Sequence, residues 1–264
     1  MENLRASITE GKGERSETNQ EIDRFMWEQE LYNWGQEVIY KDSRAAEVFS
    51  SYAQRGARGL RRFLEEMVGE IYGKTLLYVG SGNDRLVTLP LQQDGALIVN
   101  LDIVGDCLED LRQAGARNCV CGDARQLPFR NEAFDVVFSK GSVHHSHPIA
   151  EPLQAMARAV KPGGHIVVAE PNKYALFGLP RALLPSGLGC PTPYEGAVSA
   201  GEVVRILAKE GISRFRITAL THAPPGTPAS IARLWGRLGN AMPWLLHRFA
   251  FEFMVYGKKK DGLI

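Results

Sequence analysis

With 264 residues, 44% of them hydrophobic, and a formal charge of +1, the chain can build one large domain or two small ones with a proper core. The near-neutral balance excludes a general electrostatic attraction for nucleic acid, and no apolar run approaches the roughly 20 residues of a spanning helix. Cys107, Cys119, Cys121 and Cys190 show neither zinc spacing nor a disulfide framework, which fits reduced thiols in the cytoplasm.

Residues 1–20 are polar and lack an apolar secretory core, so a disordered tail is expected there. Residues 21–74 read as helical: Phe25, Met26, Trp27, Leu31, Tyr32 and Trp34 cluster early, and Leu60, Phe63, Leu64, Met67, Val68 and Ile71 recur at helical spacing. This zone is expected to form a lid, its aromatics mostly packed as core. The arginines Arg55, Arg58, Arg61 and Arg62 read as a solvated face.

From Thr75 onward strands and helices alternate, with strands expected at Leu76–Val79, Leu97–Leu101, Asn118–Cys121, Phe134–Ser139 and His165–Ala169. Such alternation implies a parallel sheet covered on both faces. The run Val160 to Gly164 reads as a helix stop and tight turn. Later, Ser199 and Glu202 form a capping box before an apolar helix that Gly211 stops. Strands at Phe215–Leu220 and Phe251–Tyr256 complete a seven-stranded sheet, the last one alternating inward Phe251, Phe253 and Val255 with outward Glu252, Met254 and Tyr256.

The first strand runs directly into Gly80-Ser81-Gly82-Asn83-Asp84, where two residues without a Cβ let a ligand approach the backbone. Asp102 ends the next strand, placed to accept both hydroxyls of a ribose. Gly122-Asp123-Ala124 ends the third, placed to read an adenine through the Asp123 carboxylate and the Ala124 amide. Arg85 stands where a dinucleotide fingerprint needs its third glycine, which weakens a nicotinamide oxidoreductase reading. The fourth strand ends in Ser139-Lys140-Gly141-Ser142-Val143-His144-His145-Ser146-His147, polar chemistry at the edge where open α/β sheets bind ligands.

This succession resembles class I S-adenosylmethionine-dependent methyltransferases, in particular the type 11-like group acting on small molecules. The resemblance runs from about Leu60 to Ala219 and again through the last strand. It implies a Rossmann-like, mostly parallel seven-stranded sheet with helices on both faces, the last strand antiparallel and an N-terminal helical lid over residues 21–74. Residues 75–264 would form the S-adenosylmethionine-binding domain, with cap insertions near 171–198 and 222–250. Carried across residue by residue, the family's roles give Gly80, Ser81 and Gly82 to the methionine and ribose parts of the cofactor. Asp102 with Ile103 takes the ribose, Asp123 and Ala124 the adenine, and Ser139 and Lys140 the reacting edge through backbone carbonyls. Two positions depart: the usual acid before the first glycine is Tyr78, and the usual third glycine is Asp84, which then becomes a candidate for the methionine ammonium.

The chemistry implied is in-line displacement at a sulfonium methyl group, which needs a nucleophile held close and water kept out. His144 and His145 are candidate bases, with His145 favoured; a metal site from His144, His145 and His147 is set aside because no carboxylate or cysteine follows at ligand spacing. Glu170 either reaches substrate or ends its strand in solvent. Between Ala229 and Ala250 an apolar stripe of Ile231, Leu234, Trp235, Leu238, Met242, Leu245, Leu246 and Phe249 carries Arg233, Arg237, His247 and Arg248 outside it, with Pro243 interrupting. Packing against the sheet is its first reading, ahead of a substrate cap and a lipid-facing surface. The expected partner is a small-molecule acceptor, hydrophobic, lipid-linked or sugar-containing, with peripheral membrane contact as one option and oligomeric state open. A non-catalytic S-adenosylmethionine-binding protein is the main alternative.

Overall fold

A computed structural model of the chain describes residues 17–34, 43–146, 148–175, 198–224, 226–242 and 249–261. Two helices, α1 (Glu17–Trp34) and α2 (Ser43–Val68), precede an alternating series. It runs β1 (Thr75–Val79), α3 (Arg85–Gln93), β2 (Leu97–Asp102), α4 (Gly105–Gln113), β3 (Cys119–Cys121) and β4 (Phe134–Lys140), then a 3₁₀ turn (Val143–His145). After it come α5 (Ala150–Ala159), β5 (Val160–Pro171), α6 (Ala200–Lys209), β6 (Ile212–Thr221), α7 (Ala229–Ala241) and β7 (Glu252–Lys259). Helix α1 begins at Glu17, ahead of the boundary expected for the tail, and residues 1–16 lie outside the described ones.

The strands form one sheet in the order β3-β2-β1-β4-β5-β7-β6. Pairing is parallel from β3 to β5, and β7 is antiparallel to both of its neighbours. Strand order therefore reverses direction between β1 and β4, and the crevice outside their carboxyl ends is the place where this topology binds ligands. Successive side chains point to opposite faces. On one face Leu77, Val79, Val137, Val168, Phe253 and Val255 pack with Leu153 and Met156 of α5 and Val203 and Leu207 of α6. On the other, Leu76, Tyr78, Val136, Phe138, Val167 and Met254 lie under Leu60, Phe63 and Leu64 of α2 and Val87 and Leu91 of α3. Helix α2 thus covers a sheet face as core, while α1 reaches the carboxyl edge through Glu28 and Gln29.

Ser199 caps α6 as expected, its hydroxyl accepting from the Glu202 amide at 3.3 Å, and Gly211 lies in the left-handed region at φ +79°. Two expectations change. Strand β7 has no outward face: Glu252, Met254 and Tyr256 are as buried as Phe253 and Val255, because α2 packs over them and Phe63 meets the Tyr256 ring edge-on at 6.4 Å. The apolar stripe of α7 does not pack against the sheet. Ile231, Leu234, Leu238 and Met242 are exposed, while the small inner side seats Gly239 against His222, where a Cβ would come within 2.0 Å of the ring. The helix ends before Pro243, a residue outside the described ones along with the rest of 243–248.

At the opposite edge of the sheet, Asp135 joins three strands. It accepts from the Thr75 amide (2.8 Å), the Thr75 hydroxyl (2.7 Å) and Lys161 Nζ (2.8 Å). Burial alone would raise its carboxyl, but the bonds from Lys161 and Thr75 outweigh it and hold the group at about 2. A carboxyl held lower in the folded state than in the unfolded one contributes fully above about pH 4, and that contribution disappears as the pH falls toward 2. Because the group is partly solvated, about 1 kcal/mol is expected. Asp135→Asn should therefore lower stability at pH 7 and flatten the loss between pH 4 and 2 in urea titrations; parallel wild-type and variant curves would rule this out.

Candidate active site at the carboxyl edge

Strand β1 leaves the sheet through Gly80 (φ +64°) and Gly82 (φ +51°), and the two glycines do different work. A Cβ on Gly80 would lie 2.2 Å from Ser142 Cβ, so this position is bare in order to admit the loop after β4, whose Ser142 hydroxyl donates to the Val79 carbonyl at 3.1 Å. A Cβ on Gly82 would meet nothing within 4 Å. Only Gly82 therefore opens toward a ligand. Ser81 is buried and ties the turn inward, its amide donating to the Leu101 carbonyl at 3.0 Å.

Asp102 stands beside this opening. One oxygen accepts from the Gly82 amide (2.7 Å) and the other from the Val104 amide (3.0 Å), which leaves a lone pair on each for two neighbouring hydroxyls. Burial pushes its carboxyl up; the amides of Val104 and Gly82 oppose this, and the charge of Glu28 on α1 adds to it. A desolvated carboxylate of this kind gains from further donors, and the acceptor pair at Asp102 with the bare approach at Gly82 suits an adenosine. Ile103 packs with Val104, Cys107 and Leu108 at the start of α4. Asp123 has a protein partner of its own. Arg125 grips its carboxylate in a fork, Nε to Oδ2 at 2.9 Å and Nη2 to Oδ2 at 2.5 Å, while the Arg125 amide donates to Oδ1 at 2.8 Å. Burial would raise this carboxyl, but the Arg125 bonds and charge prevail and lower it. Ala124 packs against the core beside it.

Across the turn, Tyr78 and Lys140 converge on Asp84. The Tyr78 hydroxyl donates to Asp84 Oδ2 at 3.0 Å and Lys140 Nζ donates to the same oxygen at 3.0 Å, while Oδ1 caps α3 through the Val87 amide at 3.2 Å. Lys140 thus enters the site through its side chain. Ser139, by contrast, is fully buried in β4.

The histidine turn is anchored from below by Glu170. Its side chain has no exposed surface: Oε1 accepts from the Ser142 amide (3.2 Å) and the Val143 amide (2.9 Å), and Oε2 lies 2.7 Å from His144 Nδ1. The solvated strand end considered from sequence is excluded. A carboxylate that already receives two amides accepts a third hydrogen bond from His144 Nδ1–H, which turns the Nε2 edge of the ring away from Glu170. His145 pairs instead with α1, Nδ1 to Glu28 Oε1 at 3.3 Å. Further bonds hold α1 across the same edge: Gln29 Nε2 to Asp106 Oδ2 at 2.9 Å, and the Tyr32 hydroxyl to Asp110. His147 lies outside the described residues, and among those described no group of three His, Cys, Asp or Glu could hold a metal. Sequence reasoning missed Glu28, Arg125 and Glu252; only Arg125, two residues from Asp123, left a local signal.

Residues 77–168 match the family model described as "Methyltransferase domain". Over those residues the chain carries a methyltransferase domain. The methyltransferase domain is similar to the biotin biosynthesis bifunctional protein BioHC of Cellvibrio japonicus, 30% identical over 55% of this chain and 29% of that protein. It is also similar to the demethylmenaquinone methyltransferase of Renibacterium salmoninarum, 32% identical over 43% of this chain and 48% of that one. The match spans 26–33% of the length of the first three curated relatives. A crystal structure from Thermotoga maritima, described as a SAM-dependent methyltransferase and possible histamine N-methyltransferase, superposes with a TM-score of 0.64 at 14% identity, over 87% of this chain and all of that one. At that identity the likeness shows the fold, and the fold is the seven-stranded sheet above.

Proposed function

We propose that the protein transfers a methyl group from S-adenosylmethionine to a protic atom, a hydroxyl by preference, of a small apolar acceptor, with His144 as the base. The observation that carries this reading is the Glu170–His144 pair at the carboxyl edge of the sheet, two residues beyond the serine that seats against Gly80. When bound, S-adenosylmethionine supplies an activated sulfonium methyl group open to in-line attack. Gly82 and Asp102 would hold its ribose end, and Ala124 its adenine; Asp123, held by Arg125, would shape that pocket more than bond to it. A hydroxyl nucleophile gains from a neighbouring base, and His144 Nε2 would take its proton while Glu170 supports the resulting imidazolium. Helix α1, clipped to the edge through His145, Asp106 and Asp110, would act as the lid that excludes water.

The apolar nature of the acceptor is supported by α7. It follows β6 at the carboxyl edge and presents Ile231, Leu234, Leu238 and Met242 outward beside Arg233 and Arg237. Such a face suits a hydrophobic or lipid-linked acceptor delivered from an anionic membrane surface. Among the described residues no helix is long and apolar enough to cross a membrane.

The test pairs binding with turnover. S-adenosylhomocysteine is expected to bind in calorimetry, and methyl transfer is expected to some member of a panel of apolar phenols, quinols and alcohols. Glu170→Gln should reduce turnover about ten- to hundredfold at unchanged S-adenosylhomocysteine affinity, and nitrogen NMR should show His144 losing its fixed Nδ1–H tautomer. Absent binding would overturn the cofactor role; unchanged turnover with an unchanged tautomer would remove His144 as base.

A further inference from the structure

The methionine end of the cofactor site carries the wrong charge for the usual contact. An acid before the glycine turn would receive an ammonium, but Tyr78 stands there, its ring stacked on Phe138 at 4.5 Å between centroids. Burial first, and then the charge of Asp84, push the Tyr78 phenol well above its ordinary range, so it is a neutral donor. The acid that remains, Asp84, is committed on both oxygens: Oδ1 to the Val87 amide, Oδ2 to Tyr78 and Lys140.

Lys140 brings a full cation to this point. Its side chain is 18% exposed, and its stem passes beneath Gly56 of α2, where a Cβ would lie 3.3 Å from Lys140 Cε. Burial works against its charge, but Asp84 and, more distantly, Glu252 outweigh it and raise its pKa. Of its three N–H groups one goes to Asp84 Oδ2, the partner found among the described residues. The N-terminus of α3 lies alongside and adds a positive potential of its own.

We propose that the Lys140 side chain binds the carboxylate of the cofactor's amino-acid end, with Asp84 and Tyr78 as positioning residues, so that this site reads the methionine by its carboxylate more than by its ammonium. The proposal rests on the S-adenosylmethionine reading of the site. The competing view, a structural ion pair that ties β4 to α3, predicts no ligand selectivity.

Calorimetry with two probes separates them: S-adenosylhomocysteine, and 5′-methylthioadenosine, which keeps the adenosine and thioether but lacks the amino-acid end. Wild-type protein should prefer S-adenosylhomocysteine. Lys140→Met should weaken it about ten- to hundredfold, as expected for one charge-assisted bond, and leave 5′-methylthioadenosine unchanged; Lys140→Arg should restore part of the preference. On the wild-type protein itself, removing the carboxylate from S-adenosylhomocysteine should cost more affinity than removing its amino group. Equal weakening of both probes in Lys140→Met, unchanged S-adenosylhomocysteine binding, or a greater cost for the amino group would each overturn the proposal. A wild-type protein that binds neither probe overturns the cofactor reading, and this proposal with it.

Discussion

Gly80→Ala is expected to destabilise the fold by about 2–5 kcal/mol: roughly 1–2 for an L-residue in the left-handed region and a further 1–3 for overpacking. The added methyl would sit 2.2 Å from Ser142 Cβ and 2.3 Å from its hydroxyl. Neither side yields easily. Ser142 is held by its hydroxyl on the Val79 carbonyl and by its amide on Glu170, so displacing it would also strain the carboxylate that carries His144. Gly82→Ala, at φ +51° with open space around the new Cβ, should cost only about 1 kcal/mol. Its methyl would instead occupy the ligand approach, and S-adenosylhomocysteine binding should suffer more than stability. Urea unfolding and calorimetry on the two variants check this crossing of effects. Equal stability losses would show that the Ser142 contact does not set the requirement for glycine.

The pattern that was legible in sequence is the one set by short-range periodicity. Apolar runs separated by helical spacing gave the five parallel strands within a residue or two at most ends, and the Ser199–Glu202 box gave α6. Strand β5 starts earlier than expected, at Val160, because Val160 pairs with Phe134 before the turn at Gly163 and the ladder resumes at His165. What sequence could not show depends on partners far along the chain. Glu252 looked like an outward residue of an alternating strand, yet it accepts from the Thr221 hydroxyl at 2.9 Å under a helix laid down about two hundred residues earlier. The α7 stripe has the right period and the opposite orientation, since Gly239 rather than the leucines meets His222. Glu170 was ambiguous for the same reason. Its meaning lies in two amides and an imidazole from the loop after β4, which only strand order brings beside it.

The two acids that looked equivalent in sequence should respond unequally to substitution. Asp102→Ala removes the acceptor of the Gly82 and Val104 amides together with any bond to the ribose hydroxyls. Loss of two bonds to a charged acceptor is expected to weaken S-adenosylhomocysteine about 100-fold or more, near 3 kcal/mol. Asp102→Asn keeps the shape but offers a single carbonyl oxygen, so it should fall between. At Asp123 the carboxylate is already engaged by the Arg125 fork, and Asp123→Asn should change affinity less than about tenfold. Its cost should appear in stability instead, because Arg125 would lose the carboxylate it grips in a part-buried site. Titrating S-adenosylhomocysteine into the three variants decides the matter. A larger affinity loss at Asp123 than at Asp102 would mean that Arg125 releases its carboxylate when ligand binds, and that the adenine, not the ribose, anchors the cofactor.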